Sequence, residues 1–155
     1  MEILYDQNLL PRMLLTITSI ALAIGPAVAD FNKTHATNPL WPPHARFHVV
    51  WQVITNSSLC FMMIYVLWTP LVEQYNLQLI LVLMVQGAIL APLYITIASM
   101  GLFDGALKDV NGLRPFKFNI AGKIVELDTN VVGFSNITLV LIIAGLNIVS
   151  SVPVL

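Results

Sequence analysis

The chain has 155 residues, of which 57% are apolar and 10% charged, with a net charge of −1 and a mean hydropathy of +0.83. Charged residues make up about a quarter of an ordinary soluble domain, so lipid is the expected solvent for most of this chain, which has room for one domain. The near-neutral charge offers nucleic acid no basic surface, and a lone cysteine, Cys60, excludes an internal disulfide, a Cys-only metal site and a CxxC redox pair.

Crossing about 30 Å of hydrocarbon as a helix takes roughly 20 mostly apolar residues. Four stretches qualify, at approximately 10–29, 44–69, 77–102 and 131–153. The first holds one charge, Arg12, near enough to its end to snorkel, and Gly25-Pro26 is expected to kink its last turn. A competing reading takes this segment as a signal peptide, because Ala27-Val28-Ala29 before Asp30 has the small-x-small form of a cleavage site. The acidic leader Met1-Glu2-Ile3-Leu4-Tyr5-Asp6 argues against that and for a retained helix. The second stretch opens after Trp41-Pro42-Pro43, where proline suits a first helical turn, and stops at Trp68-Thr69-Pro70. The third carries Pro92 in mid-span, tolerated where neighbours satisfy the freed carbonyl, and the fourth has no charged residue.

Between the third and fourth stretches lies the only sizeable polar segment, Phe103 to Asn130. Phe116-Lys117-Phe118-Asn119-Ile120 alternates in period two, Ala121-Gly122 offers a turn, and Lys123 to Asp128 continues with β-branched residues. This pattern predicts a short β-hairpin lying on the membrane surface. The expected fold is therefore an all-α integral membrane protein, a four-transmembrane-helix bundle with an extramembrane β-hairpin in the third loop. Lys33, Arg46, Lys108, Arg114, Lys117 and Lys123 flank the two connections on one side and Arg12 the other. The positive-inside rule then makes those connections cytoplasmic and both termini non-cytoplasmic.

All three histidines fall between Asp30 and His48. His44 and His48 are four apart at the start of the second helix, one above the other on the same face, which is the spacing by which a helix offers two imidazoles to one metal. With His35 and Asp30 from the preceding loop, they would form a three-histidine, one-carboxylate site suited to zinc, copper or iron, oriented by Arg46 and Asp104. From His48 a polar stripe continues through Gln52, Thr55 and Asn56. Polar groups at that depth are expected to face the bundle interior or a water-filled cavity, with Gln86 and Tyr94 of the third helix and Asn136, Thr138 and Asn147 of the fourth as partners. The bland alternatives are interfacial hydrogen bonds for the histidines and a surface ion pair between Asp30 and Arg46.

Four helices in 155 residues, with Asn38-Pro39 and His44-Ala45-Arg46-Phe47-His48 after the first, resemble small bacterial and fungal membrane proteins of the DoxX-like kind. That resemblance implies a fold more than an activity. Separately, Asp30, His35 and His48 are similar in order and spacing to the copper-binding aspartate and two histidines in the C subunit of particulate methane and ammonia monooxygenases, which implies copper facing a hydrophobic substrate.

The leading expectation is a membrane-embedded metal-binding protein, an enzyme of oxidoreductase type acting on a hydrophobic substrate near the cytoplasmic face. Two alternatives stand beside it: a non-catalytic subunit or assembly factor of a larger membrane complex, and a small oligomeric transporter or channel component. No nucleotide-binding loop, nucleophile elbow or paired-carboxylate signature is present, so no nucleotide cofactor is expected. Expected partners are the lipid bilayer, other membrane subunits or a second copy, and not nucleic acid.

Overall fold

A computed structural model describes residues 8–71, 75–107 and 111–151 of the chain. Its elements in order are α1 (Leu9–Asp30), α2 (Pro43–Trp68), α3 (Tyr75–Ser99) continued by a 3-10 turn (Met100–Leu102), β1 (Phe116–Ile120), β2 (Lys123–Leu127) and α4 (Thr129–Ser151). All four helices are long and apolar enough to cross a membrane. The bounds of α1 and α2 fall within a residue of those read from apolar run length, α3 and α4 each begin two residues earlier, α3 reaches residue 102 only with its 3-10 turn, and the expected end at 153 lies outside the described residues; the hairpin strands match the alternating segments. Lys108, one of the expected interface cations, and the leader Met1 to Asp6 lie outside the described residues.

Helix α1 runs unbroken through Pro26 to Asp30 and packs against the other three helices. Its inward stripe is Pro11, Leu15, Thr18, Ser19, Leu22 and Ala23, spaced by three and four as one face of a helix requires. Onto that stripe close Val53, Cys60, Met63 and Leu67 of α2, Leu79, Val82 and Leu90 of α3, and Leu141, Ala144 and Ile148 of α4. Leu14, Val66, Ile80, Leu83, Ile89, Phe134 and Ile137 pack partly buried against this core, while Ile17 and Ile24 of α1, Phe61 and Met62 of α2 and Leu146 and Val149 of α4 are among the large apolar side chains left exposed. Many large apolar side chains thus stay outside the packed core, a distribution that a lipid solvent permits.

Interhelical hydrogen bonds fix the directions. The Trp68 indole donates to Thr16 Oγ1 at 3.0 Å and the Ser57 hydroxyl to the Ala23 carbonyl at 3.0 Å, so α2 returns antiparallel along α1. Tyr94 meets Thr138 at 2.8 Å while Gly145 faces Leu83, so α4 returns antiparallel along α3. The Gln78 amide donates to the Val66 carbonyl and, at 2.6 Å, to that of Thr69, closing the C-terminal turn of α2 against the start of α3. One end of the bundle therefore gathers the end of α1, the start of α2, the end of α3 and the start of α4. The loop 31–42 and the hairpin share that end.

Candidate functional site

At the end of α1 the chain turns on its own polar side chains. Asn32 Nδ2 donates to the Val28 and Ala29 carbonyls at 3.0 and 2.8 Å, satisfying acceptors that a helix end leaves open, while its Oδ1 accepts from the Thr34 backbone N–H at 2.7 Å. Asn38 is fully buried beneath this loop, its amide donating to the Thr34 carbonyl at 2.9 Å and its Oδ1 accepting from the Leu40 N–H at 3.0 Å. His35 belongs to the same construction. Its Nδ1 lies 2.7 Å from Thr34 Oγ1 and 3.5 Å from Asp30 Oδ1, and its ring stands edge-on to Trp41 with centroids 5.1 Å apart. Asp30 and His35 thus form a half-buried pair that holds the loop to the helix end.

The other two histidines stand apart. Pro43 opens α2 at its first turn, and His44 and His48 follow one turn apart with Nε2 atoms 3.0 Å from each other and rings nearly perpendicular at 81°. Both are exposed, flanked by Phe47 and Trp51. At that separation one nitrogen presents a lone pair and the other a proton, or both present lone pairs to a cation between them.

The expected single site of His35, His44, His48 and Asp30 is therefore divided in two. Among the described residues no group of three or more His, Cys, Asp or Glu is arranged to hold a metal ion. The physical reason is local: Thr34 and Asp30 hold His35 Nδ1 within the loop, whereas the i, i+4 pair lies on an exposed face of α2. Arg46, expected to orient ligands, lines a shallow groove with Ala36, Pro43, Phe47 and Val50. Asp104 is exposed in the turn after the 3-10 segment, with φ 53° in the left-handed region that aspartate tolerates better than most residues.

The polar stripe divides as well. Burying Val53, Cys60, Met63 and Leu67 turns the opposite side of α2 outward, so His44, His48, Gln52 and Thr55 share one exposed face, and only Asn56 is half-buried. Gln86, by contrast, is wholly buried between α1 and α3. Its amide donates to the Leu15 carbonyl at 2.8 Å and to Ser19 Oγ at 2.7 Å, and its Oε1 accepts from the Thr18 hydroxyl at 2.5 Å, so every polar atom it carries is used. Gln86, expected to line a cavity, is thus engaged in hydrogen bonds that join α3 to α1. The Tyr94 and Thr138 hydroxyls share a hydrogen bond at 2.8 Å, tying α3 to α4, while the Asn136 and Asn147 amides bond back to carbonyls of their own helix.

Several polar side chains that hold this architecture, Thr18, Ser19, Asn32 and Gln78, carry no signal of periodicity toward a site. Thr18-Ser19 in mid-span is the one legible hint, since small hydroxyl residues mark helix contacts in lipid.

A family model matches residues 14–146, and its description is a family of unknown function, DUF6640. The chain belongs to that family. No curated protein and no solved structure matches it, and the family's description names neither of the resemblances drawn from the sequence.

Proposed function

We propose that this member of the DUF6640 family is a multi-pass membrane protein acting as a non-catalytic subunit, whose outward α2 face packs against another membrane-spanning helix. Gln52 is the observation that carries this. It sits about 13 Å along a helix long enough to span, is exposed, and makes no hydrogen bond among the described residues. In hydrocarbon an unpaired amide costs several kcal/mol, and such side chains hydrogen-bond across helices instead. A second copy is the simplest partner. A two-fold axis along the bilayer normal would set Gln52 beside its counterpart at the same depth, and an amide that both donates and accepts satisfies itself in such a pair.

The test is energy transfer between donor- and acceptor-labelled chains in vesicles as protein is diluted in lipid. Wild type should hold its transfer on dilution, and Gln52→Leu should weaken association roughly 5- to 30-fold, for a loss of about 1–2 kcal/mol. Transfer at the chance level for wild type would overturn self-association.

A bound metal is the second reading, favoured by the converging Nε2 atoms of His44 and His48. Two imidazoles make half of a tetrahedral set, so the covering partner would supply the rest for zinc or copper. Elemental analysis of wild type against His48→Ala decides it: metal at background in both removes this reading. For orientation, Lys33, Arg46, Arg114, Lys117 and Lys123 lie at the end shared by loop 31–42 and the hairpin, and Arg12 toward the other. The basic end is the cytoplasmic one by the positive-inside rule, and both termini are outside.

A further inference from the structure

The hairpin is two-faced. Its register pairs Phe116 with Leu127, Phe118 with Val125 and Ile120 with Lys123, and directly opposed residues project on the same side of a ladder. One face therefore reads Phe116, Leu127, Phe118, Val125 and Ile120, with Lys123 at its tip. The other carries the Lys117–Glu126 ion pair at 2.9 Å together with Asn119 and Ile124. Every residue of both strands is exposed, Phe118 to 48% and Ile120 to 60%. A two-stranded ribbon is marginal on its own in water, and an apolar face with two aromatic rings is an unusual thing to leave uncovered.

Its position says what covers it. Only Asp128 separates β2 from α4, and its carboxylate caps that helix, accepting from the Asn130 and Val131 N–H groups at 2.9 and 3.2 Å. Thr129 Oγ1 donates to the Arg114 carbonyl at 2.6 Å, tying the base of β1 to the first residue of α4. The ribbon is thus held at the level where a candidate span begins. Arg114 at its base and Lys123 at its tip make no ion pair among the described residues, so a cation is left at each end of the ribbon, whereas Lys117 is paired with Glu126 on the opposite face. Aromatic rings and cations are the residues that settle in this interfacial zone.

We propose that the hairpin is a membrane-surface anchor: its Phe116, Phe118, Ile120, Val125 and Leu127 face lies in the headgroup region of the bilayer that α4 enters, with Arg114 and Lys123 on lipid phosphates. This rests on the reading that the helices span a membrane, and the test separates the two. Single spin labels are placed by Phe118→Cys, Ile120→Cys, Lys117→Cys and Asn119→Cys in a Cys60→Ala background, with Leu139→Cys on the outward side of α4 as reference, in phosphatidylcholine–phosphatidylglycerol vesicles. Labels at 118 and 120 should relax with oxygen several-fold more than those at 117 and 119, and the order should reverse with a water-soluble nickel complex. Equal nickel exposure on both faces, with the α4 reference still reading lipid, overturns the anchor while the spanning reading stands. Low access of both reagents at 118 and 120 would mean that protein covers the face and would overturn it equally. A water-exposed reference label would sink the spanning reading itself, and the anchor with it.

Discussion

Gln86 and Gln52 carry the same amide, each well inside a helix long enough to span, and the structure treats them oppositely. Gln86 faces α1, where Thr18, Ser19 and the Leu15 carbonyl meet all of its donors and its acceptor. Gln52 faces away, with no hydrogen bond among the described residues. The first amide therefore holds this chain's own helices together, and the second is available to something beyond the chain. The difference lies in helix rotation rather than in residue type or depth.

The comparison breaks most visibly at Gln86. Gln86→Ala removes three hydrogen bonds and leaves a hole between α1 and α3, so it should cost about 2–4 kcal/mol, read as a drop in unfolding free energy in mixed micelles. Gln78 sharpens the comparison, because it too is spent internally, on the carbonyls at the end of α2. Gln78→Leu leaves those acceptors open and should cost about 1–2 kcal/mol in the same assay. The smallest effect belongs to Gln52→Ala, which should shift the unfolding of the isolated chain by no more than about 0.5 kcal/mol while weakening its association in vesicles. A loss at Gln52 comparable to that at Gln86 in the isolated chain would mean that both amides serve the same bundle, and the distinction would fail.

The histidines repeat the contrast on a smaller scale. His35 is drawn into a loop that has to satisfy the open carbonyls of α1 and bury Asn38, so its Nδ1 answers Thr34 and Asp30. His44 and His48 lie on a helix face whose orientation is set further along α2, where Val53, Cys60, Met63 and Leu67 pack inward. Spacing in the sequence brought His44 and His48 together correctly, because four residues on a helix are neighbours whatever surrounds them. It could not say whether a loop would deliver His35 to the same place, since that depends on competing hydrogen bonds within the loop.

What the sequence determined by itself was local. The number of long apolar helices follows from apolar run length, the opening of α2 from Pro42-Pro43, and the hairpin from period-two alternation around Ala121-Gly122, whose φ values of 50° and 80° are those that a tight hairpin turn requires. Tertiary structure alone decided which side of each helix turns inward. A helix apolar enough to cross a membrane is apolar nearly all round, so its sequence has no strong face to read. Small differences in fit, Thr18 and Ser19 against Gln86, or Gly145 against Leu83, set the rotation instead. That rotation buried one amide and exposed the other, and it left His44 and His48 on an outward face, while hydrogen bonds within the loop kept His35 apart from them.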